Sequence, residues 1–199
     1  MPALQDEPST RSRKTLRERL IAERARFVNA DPANGAFAAA SAALGGALLG
    51  VLRQIEPELL GVYWPVRSEF NARPALQSDE SMSTLPLALP FTRRSPPRME
   101  YRRWDGATPR GTDECGIAAS ADGEEVVPDT VLVPCVGFTA DGYRLGYGGG
   151  FFDRWVALHP HVTTIGIAWS FGRLEAGAFE PEPHDQPLTL IVTETGVVG

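Results

Sequence analysis

The sequence predicts an α/β fold of three layers, a mainly parallel central sheet with helices on both faces. Three observations carry this. Apolar runs of strand length alternate with segments of helix length, the order that builds parallel sheets through crossover helices. One run, "TVLVP" (130–134), is almost wholly apolar, as a strand covered on both faces must be. The glycine-rich segment after it opens a further helix near Phe151.

Each element has its own signal. "STRSRKTLRERLIAERARFV" predicts a first helix, capped by Ser9 or Thr10, with Leu16, Leu20 and Phe27 as its apolar stripe. The alanine-rich run after Asn34-Gly35 predicts a second. "LLGVYWP" (59–65) reads as a buried strand that Pro65 stops. A polar stretch with a short helix follows, then strands at "LPLALP" (85–90) and "RMEYRRW" (98–104). Residues 106–129, rich in Gly, Asp and Glu, read as a long, mobile loop. After the helix at 151–158 come strands at "TTIGIAW" (163–169) and "LTLIVTE" (188–194).

Composition narrows the function. The chain has 199 residues, enough for one domain with a sizeable core. Residues 1–12 read as a flexible N-terminal segment and 13–199 as a single domain. A net charge of −6 argues against general nucleic-acid binding, which needs a positive field. The run 36–52 falls short of a membrane span and is mostly Ala and Gly, so it reads as a soluble helix packed on a sheet. The first residues are polar and lack the apolar core of a secretory signal. Two cysteines without paired spacing suggest a reducing, cytoplasmic setting.

The candidate chemistry lies in "GYRLGYGGGFFDRW" (142–155). In an open α/β sheet, ligands bind beyond the carboxyl ends of the strands. A glycine loop there, leading into a helix N-terminus, offers free backbone N–H groups and a favourable dipole to an anion. Gly148, Gly149 and Gly150 let a phosphate approach, Arg144 and Arg154 can add charge-assisted bonds, and Asp153 can hold magnesium. A glycine turn with Asp153 merely at a helix start is the plainer alternative. No Lys-Ser/Thr follows the glycines, so this is not a Walker A loop.

"PDTVLVPCVGFTADGYRLGYGGGFFDRW" resembles the signature of the 5-formyltetrahydrofolate cyclo-ligase family. "RKTLR", "YWPVRSEFN", "LALP", "MEYRRW", "TIGIAW", "PEPHDQPL" and "LIVTE" agree in order, so the likeness runs from about Arg13 to Gly196. It implies a Rossmann-like fold of the cyclo-ligase type. It also implies ATP- and Mg²⁺-dependent ring closure of 5-formyltetrahydrofolate, with or without a polyglutamate tail, by phosphorylation of the formyl oxygen, in a monomer.

Carried over by position, Arg144, Leu145, Gly146, Tyr147, Gly148, Gly149, Gly150, Phe151 and Phe152 match the ATP-phosphate loop. Tyr147, Gly148, Gly149, Gly150 and Phe151 also match folate contacts. Arg13, Lys14 and Arg17 fall where the family sets basic residues against the nucleotide. Trp64 flanks the folate and Glu69 holds the pterin. Asp153 and Asp185 match the metal positions, and Arg144 and Asp153 the catalytic ones. Arg102 or Arg103 is expected to meet the anionic glutamate tail.

The chain departs from the family pattern at several positions. Arg13 stands for a usual Lys, Phe151-Phe152 for paired tyrosines, Ala119 for a Glu, Thr139 for an Asp and Cys135 for a Gly. These leave open a divergent ATP- and folate-binding paralogue, or a folate-binding protein without turnover. Cys135 has no evident activating base and reads as a buried small residue.

Overall fold

The structure, a computed structural model, describes residues 8–30 and 35–199. The elements run α1 (Pro8–Asn29), α2 (Ala36–Ile55), β1 (Leu60–Gly61), α3 (Arg73–Ser78), β2 (Leu87–Arg94), β3 (Pro97–Trp104), β4 (Gly111–Thr112), β5 (Ala118–Ala119), β6 (Glu125–Val126), β7 (Thr130–Pro134), β8 (Gly137–Phe138), β9 (Arg144–Leu145), α4 (Phe151–Leu158), β10 (Thr163–Ile167), β11 (Leu190–Thr193) and β12 (Gly196–Val198). A 3₁₀ turn occupies Ser170–Gly172.

The main sheet has the order β12-β11-β10-β7-β1-β2-β3-β6. Its five middle strands are parallel, and its edges are antiparallel. β7 is buried at every position, as its unbroken apolar run requires. Leu132 faces one layer, with Leu44, Leu48 and Leu52 of α2 and Leu76 of α3. Val131 and Val133 face the other, with Trp155 of α4. Alternation along a strand thus fills two cores from one segment.

The chain moves from β1 to β2 on one side through α3, then returns to the other side of β1 with β7 and steps outward through α4 to β10 and β11. The direction of winding therefore reverses between β1 and β7. That is the switch point where two loops diverge and leave a crevice.

Several expectations are adjusted. α1 is described from Pro8, so Ser9 and Thr10 lie inside the helix rather than at its cap. The segment read as a flexible lead therefore enters α1 from Pro8, and residues 1–7 lie outside the described residues. Asn34, expected before the second helix, also lies outside them, and Gly35 caps α2 in the left-handed region.

β1 is shorter than its apolar run, although Val62 N–H still donates to the Ala88 carbonyl. β2 runs on past Pro90 to Arg94 and pairs with β3 as a hairpin. Pro90 is tolerated because β1 has ended beside it, leaving that side of β2 without a ladder partner.

Residues 106–129 are tied down rather than loose. They contain the β4–β5 hairpin and β6, and the buried Asp113 carboxylate accepts bonds from Thr92 and from the Cys115 and Ile117 N–H groups. α2 is long and apolar enough to cross a membrane by length and composition. Its Leu44, Leu48, Val51 and Leu52 are instead buried in the core beneath it.

Candidate functional site

At the switch point lies a cavity of about 860 Å³. Its walls come from the loop after β1 (Trp64, Val66, Glu69), the stretch from β9 through the glycine loop into the start of α4 (residues 144–154), the inner face of α1 (Arg13, Lys14, Arg17), the β4–β5 hairpin, and Glu182, His184 and Asp185.

The glycine loop runs from β9 into α4. Gly148 has φ 89° and Gly150, the residue before α4, has φ 60°, both in the left-handed region that side chains avoid. Around them stand arginines. Arg17 Nε–H donates to the Gly146 carbonyl at 2.6 Å, and Arg154 donates to the Gly149 carbonyl at 2.6 Å. Arg144 is buried and donates to Asp153 Oδ2 at 3.0 Å, while its Nε–H is buried with no partner. Such an orphaned donor is rare in a folded chain and calls for an acceptor. The Arg144 and Arg154 guanidinium groups lie over the Phe152 and Phe151 rings at 5.5 and 5.3 Å.

The second acid of the site is Asp185. Its Oδ2 accepts from Arg13 at 2.7 Å and from the Glu182 N–H at 2.7 Å. Burial pushes this carboxyl up, but the Arg13 hydrogen bond, with the Glu182 N–H and the Arg13 charge, outweighs it and holds the group below its ordinary value. Gln186 N–H reaches Asp153 Oδ1 at 3.4 Å, so the two acids border one short segment.

Across the cavity, residues 66–69 form a tight turn in which Arg67 (φ 49°) and Ser68 (φ 66°) are both left-handed. Two consecutive non-glycine residues there store strain, and such strain gathers at functional sites. The turn fixes Glu69. Its Oε2 accepts from the Val66 N–H at 2.7 Å and its Oε1 from the Tyr147 hydroxyl at 2.6 Å. Burial raises the Glu69 pKa; the bonds from Tyr147 and Val66 and the charges of Arg24 and Arg67 offset this only in part. Tyr147 in turn accepts from Arg24, a residue of α1 that is 4% exposed and also donates to the Arg67 carbonyl at 3.1 Å.

Comparison with known proteins now decides the family. The sequence model of the 5-formyltetrahydrofolate cyclo-ligase family matches residues 9–194. The chain belongs to this family. A Mycoplasma pneumoniae 5-formyltetrahydrofolate cyclo-ligase is 43% identical over 67 residues, 33% of this chain and 39% of that relative's own length. One from Haemophilus influenzae is 25% identical over 148 residues, 70% of this chain and 78% of the relative. Among solved structures, a 5,10-methenyltetrahydrofolate synthetase from Aquifex aeolicus superposes with TM-score 0.70 and 25% identity, covering 94% of this chain and 91% of that one. The Mycoplasma pneumoniae synthetase, at 20% identity and TM-score 0.68 over 92% and 98% of the two chains, shares the fold.

Every residue carried over from the cyclo-ligase likeness lines the one cavity: Arg13, Lys14, Arg17, Trp64, Glu69, residues 144–153 and Asp185. Arg102 and Arg103 do not. Arg102 is held by Glu100 and the Ala121 carbonyl, and Arg103 lies 3.9 Å from Glu124, because both belong to a strand whose outer charges pair along the sheet. Ala119, where the cyclo-ligases carry a Glu, is buried in β5 and is not among the lining residues. Cys135 is buried, and burial pushes its thiol up to about 12, which suits a packing residue.

Sequence reasoning missed Arg24, Arg67 and Asp113. Arg24 had a signal: residues 13, 17, 20 and 24 recur at helical spacing, so it shares a face with Arg13, Arg17 and the buried Leu20.

Proposed function

We propose that the chain is an ATP- and Mg²⁺-dependent cyclo-ligase that closes 5-formyltetrahydrofolate to 5,10-methenyltetrahydrofolate, releasing ADP and phosphate. The observation that supports it most is one cavity holding three things. These are a buried carboxylate on a strained turn, a glycine loop entering a helix, and a buried arginine with an N–H awaiting an acceptor.

The residues fit both groups. Magnesium is usually held by one or two carboxylates plus phosphate oxygens and waters. Among the described residues no group of three or more His, Cys, Asp or Glu could hold a metal ion, so Asp153 and Asp185 would be the protein's two contributions. When bound, the ion neutralises charge on the transferring phosphoryl group. Without ligand, each acid has an arginine partner, Arg144 for Asp153 and Arg13 for Asp185. On loading, the arginines turn to phosphate oxygens, so no charge is left unpaired in either state.

The glycine-loop N–H groups, with Arg144, Arg17 and Lys14, would orient the nucleotide phosphates. Glu69 would accept from the pterin ring N–H and amino group through its two oxygens, taking the place of its present partners. Trp64 would flank the folate. In the reaction, the formyl oxygen attacks the γ-phosphorus and the bond to the bridging oxygen of ADP breaks. N10 then attacks the activated formyl carbon and loses its proton, and the carbon–oxygen bond breaks as phosphate leaves. Cys115 and Cys135 are both free thiols, which suits a cytoplasmic setting, and the reading needs only one copy of the chain.

The test mixes purified protein, 5-formyltetrahydrofolate and Mg-ATP and follows the near-ultraviolet absorbance of the methenyl product. ATP-dependent formation is expected. No product at high protein concentration overturns the proposal, and folate binding without product would point to the non-catalytic alternative.

A further inference from the structure

A second cavity, of about 520 Å³, adjoins the first and shares Tyr63 and Trp64 as lining residues. It lies between α3 and the end of β3, walled by Trp64, Trp104, Leu76 and Leu85. Trp64 and Trp104 meet edge to face with ring centroids 6.2 Å apart. The Trp104 indole N–H is already satisfied by the Ala107 carbonyl at 2.7 Å. The cavity thus pairs an aromatic and apolar wall with polar lining from residues such as Asn71, Gln77 and Thr84.

One acid and one arginine line this cavity, and neither has an ion-pair partner among the described residues. Asp105 lines it, but its carboxylate accepts from the Ala107 N–H at 2.9 Å and has no cationic partner among the described residues. Arg73 lines it from the first turn of α3. Its guanidinium stands 5.8 Å from the Trp104 ring and makes no ion pair or hydrogen bond among the described residues. Its Nε is buried and unpartnered. The other arginines of the neighbouring sheet edge, Arg98, Arg102 and Arg103, all have carboxylate partners. A half-buried guanidinium with a hidden, empty N–H is an anion site in search of its anion.

We propose that this cavity seats the benzoyl-glutamate portion of the folate, with a glutamate carboxylate on Arg73 and the aromatic ring against Trp64 and Trp104. The assignment rests on the cyclo-ligase reading above and extends it. Trp64 borders both cavities, so a substrate whose pterin sits at Glu69 meets Trp64 on its way. Glu69 and Arg73 are four residues apart, which puts their Cα atoms no more than about 14 Å from each other. The chemistry matches in order: a polar ring system at a carboxylate, a flat apolar ring at tryptophans, and an anion at an arginine, for which a planar fork is the better partner.

The experiment compares wild type and Arg73→Gln with 5-formyltetrahydrofolate and with its analogue ending at the benzoate, lacking glutamate. Loss of one charge-assisted bond raises KM for the intact folate on the order of tenfold, with KM for the truncated substrate and for ATP unchanged. An equal rise for both folates, or none, overturns the proposal. Arg73→Lys restores part of the loss.

A second measurement is independent of turnover and of this variant's folding. Tryptophan fluorescence of the wild-type protein is titrated with p-aminobenzoylglutamate and with p-aminobenzoate. Saturation only by the glutamate conjugate supports the site, and no saturation by it, or equal response to both, overturns it. Absence of product from wild type with either folate is a different failure, that of the cyclo-ligase reading.

Discussion

At the scale of the residue, Glu69 and Asp153 separate the two halves of the proposed chemistry. Glu69→Gln keeps the shape but removes the charged acceptor, so kcat/KM for the folate falls by roughly ten- to a hundredfold while KM for ATP holds. Steady-state kinetics with each substrate varied in turn checks this. On the proposed reading the same carboxylate should set a pH limit. Its pKa is raised by burial, and in the proposed binding mode only its ionised form would accept from both donors of the pterin. Folate kcat/KM should therefore drop as pH falls through a window above the ordinary glutamate range, and Glu69→Gln should abolish that dependence. Asp153→Asn should lower turnover strongly and shift the magnesium requirement upward, read from rate against metal concentration, with the folate KM little changed.

At the scale of the element, α1 and α4 do the positioning. α1 carries Arg13, Arg17 and Arg24 along one face, and Arg24 supports Glu69 through Tyr147 and through the Arg67 carbonyl of the turn that holds it. Arg24→Gln should raise the folate KM several-fold and push the pH limit higher, since one charge that favours the ionised Glu69 is gone. ATP KM should stay the same, and Arg24→Lys should recover part of the effect.

α4 depends on its entry. Gly150→Ala forces a side chain into the left-handed region and should cost about 1–2 kcal/mol, seen as a lower Tm. Much of this was legible locally. The span 151–158 follows from its apolar spacing between Gly150 and His159-Pro160, and the structure gives α4 that same span. The β4–β5 hairpin was not legible, because its two-residue strands have no periodicity and its anchor, Asp113, bonds to Thr92 twenty-one residues away.

At the scale of the whole molecule, one central strand supports everything. β7 fills a core on each face, and from its carboxyl end the chain passes through the β8–β9 hairpin to the glycine loop. Leu132 is fully buried, so Leu132→Ala should cost about 2–5 kcal/mol, measured by denaturant unfolding, without changing KM in the protein that remains folded. The fold class itself was open to sequence reasoning, since alternating strand and helix segments leave few architectures.

What the sequence determined alone was local: which segments are helical or extended, that a glycine-rich loop leads into the helix at Phe151, and which family the chain resembles. Backbone propensity, side-chain periodicity and glycine geometry act within a few residues and leave a readable trace. The tertiary structure decided what meets what. It put the switch point between β1 and β7, brought Glu69 to Tyr147 and Arg24, paired each acid of the glycine-loop site with an arginine, and left Arg73 rather than Arg102 or Arg103 facing a cavity. Those choices are set by which apolar faces bury each other across the sheet, and no short stretch of chain contains both partners.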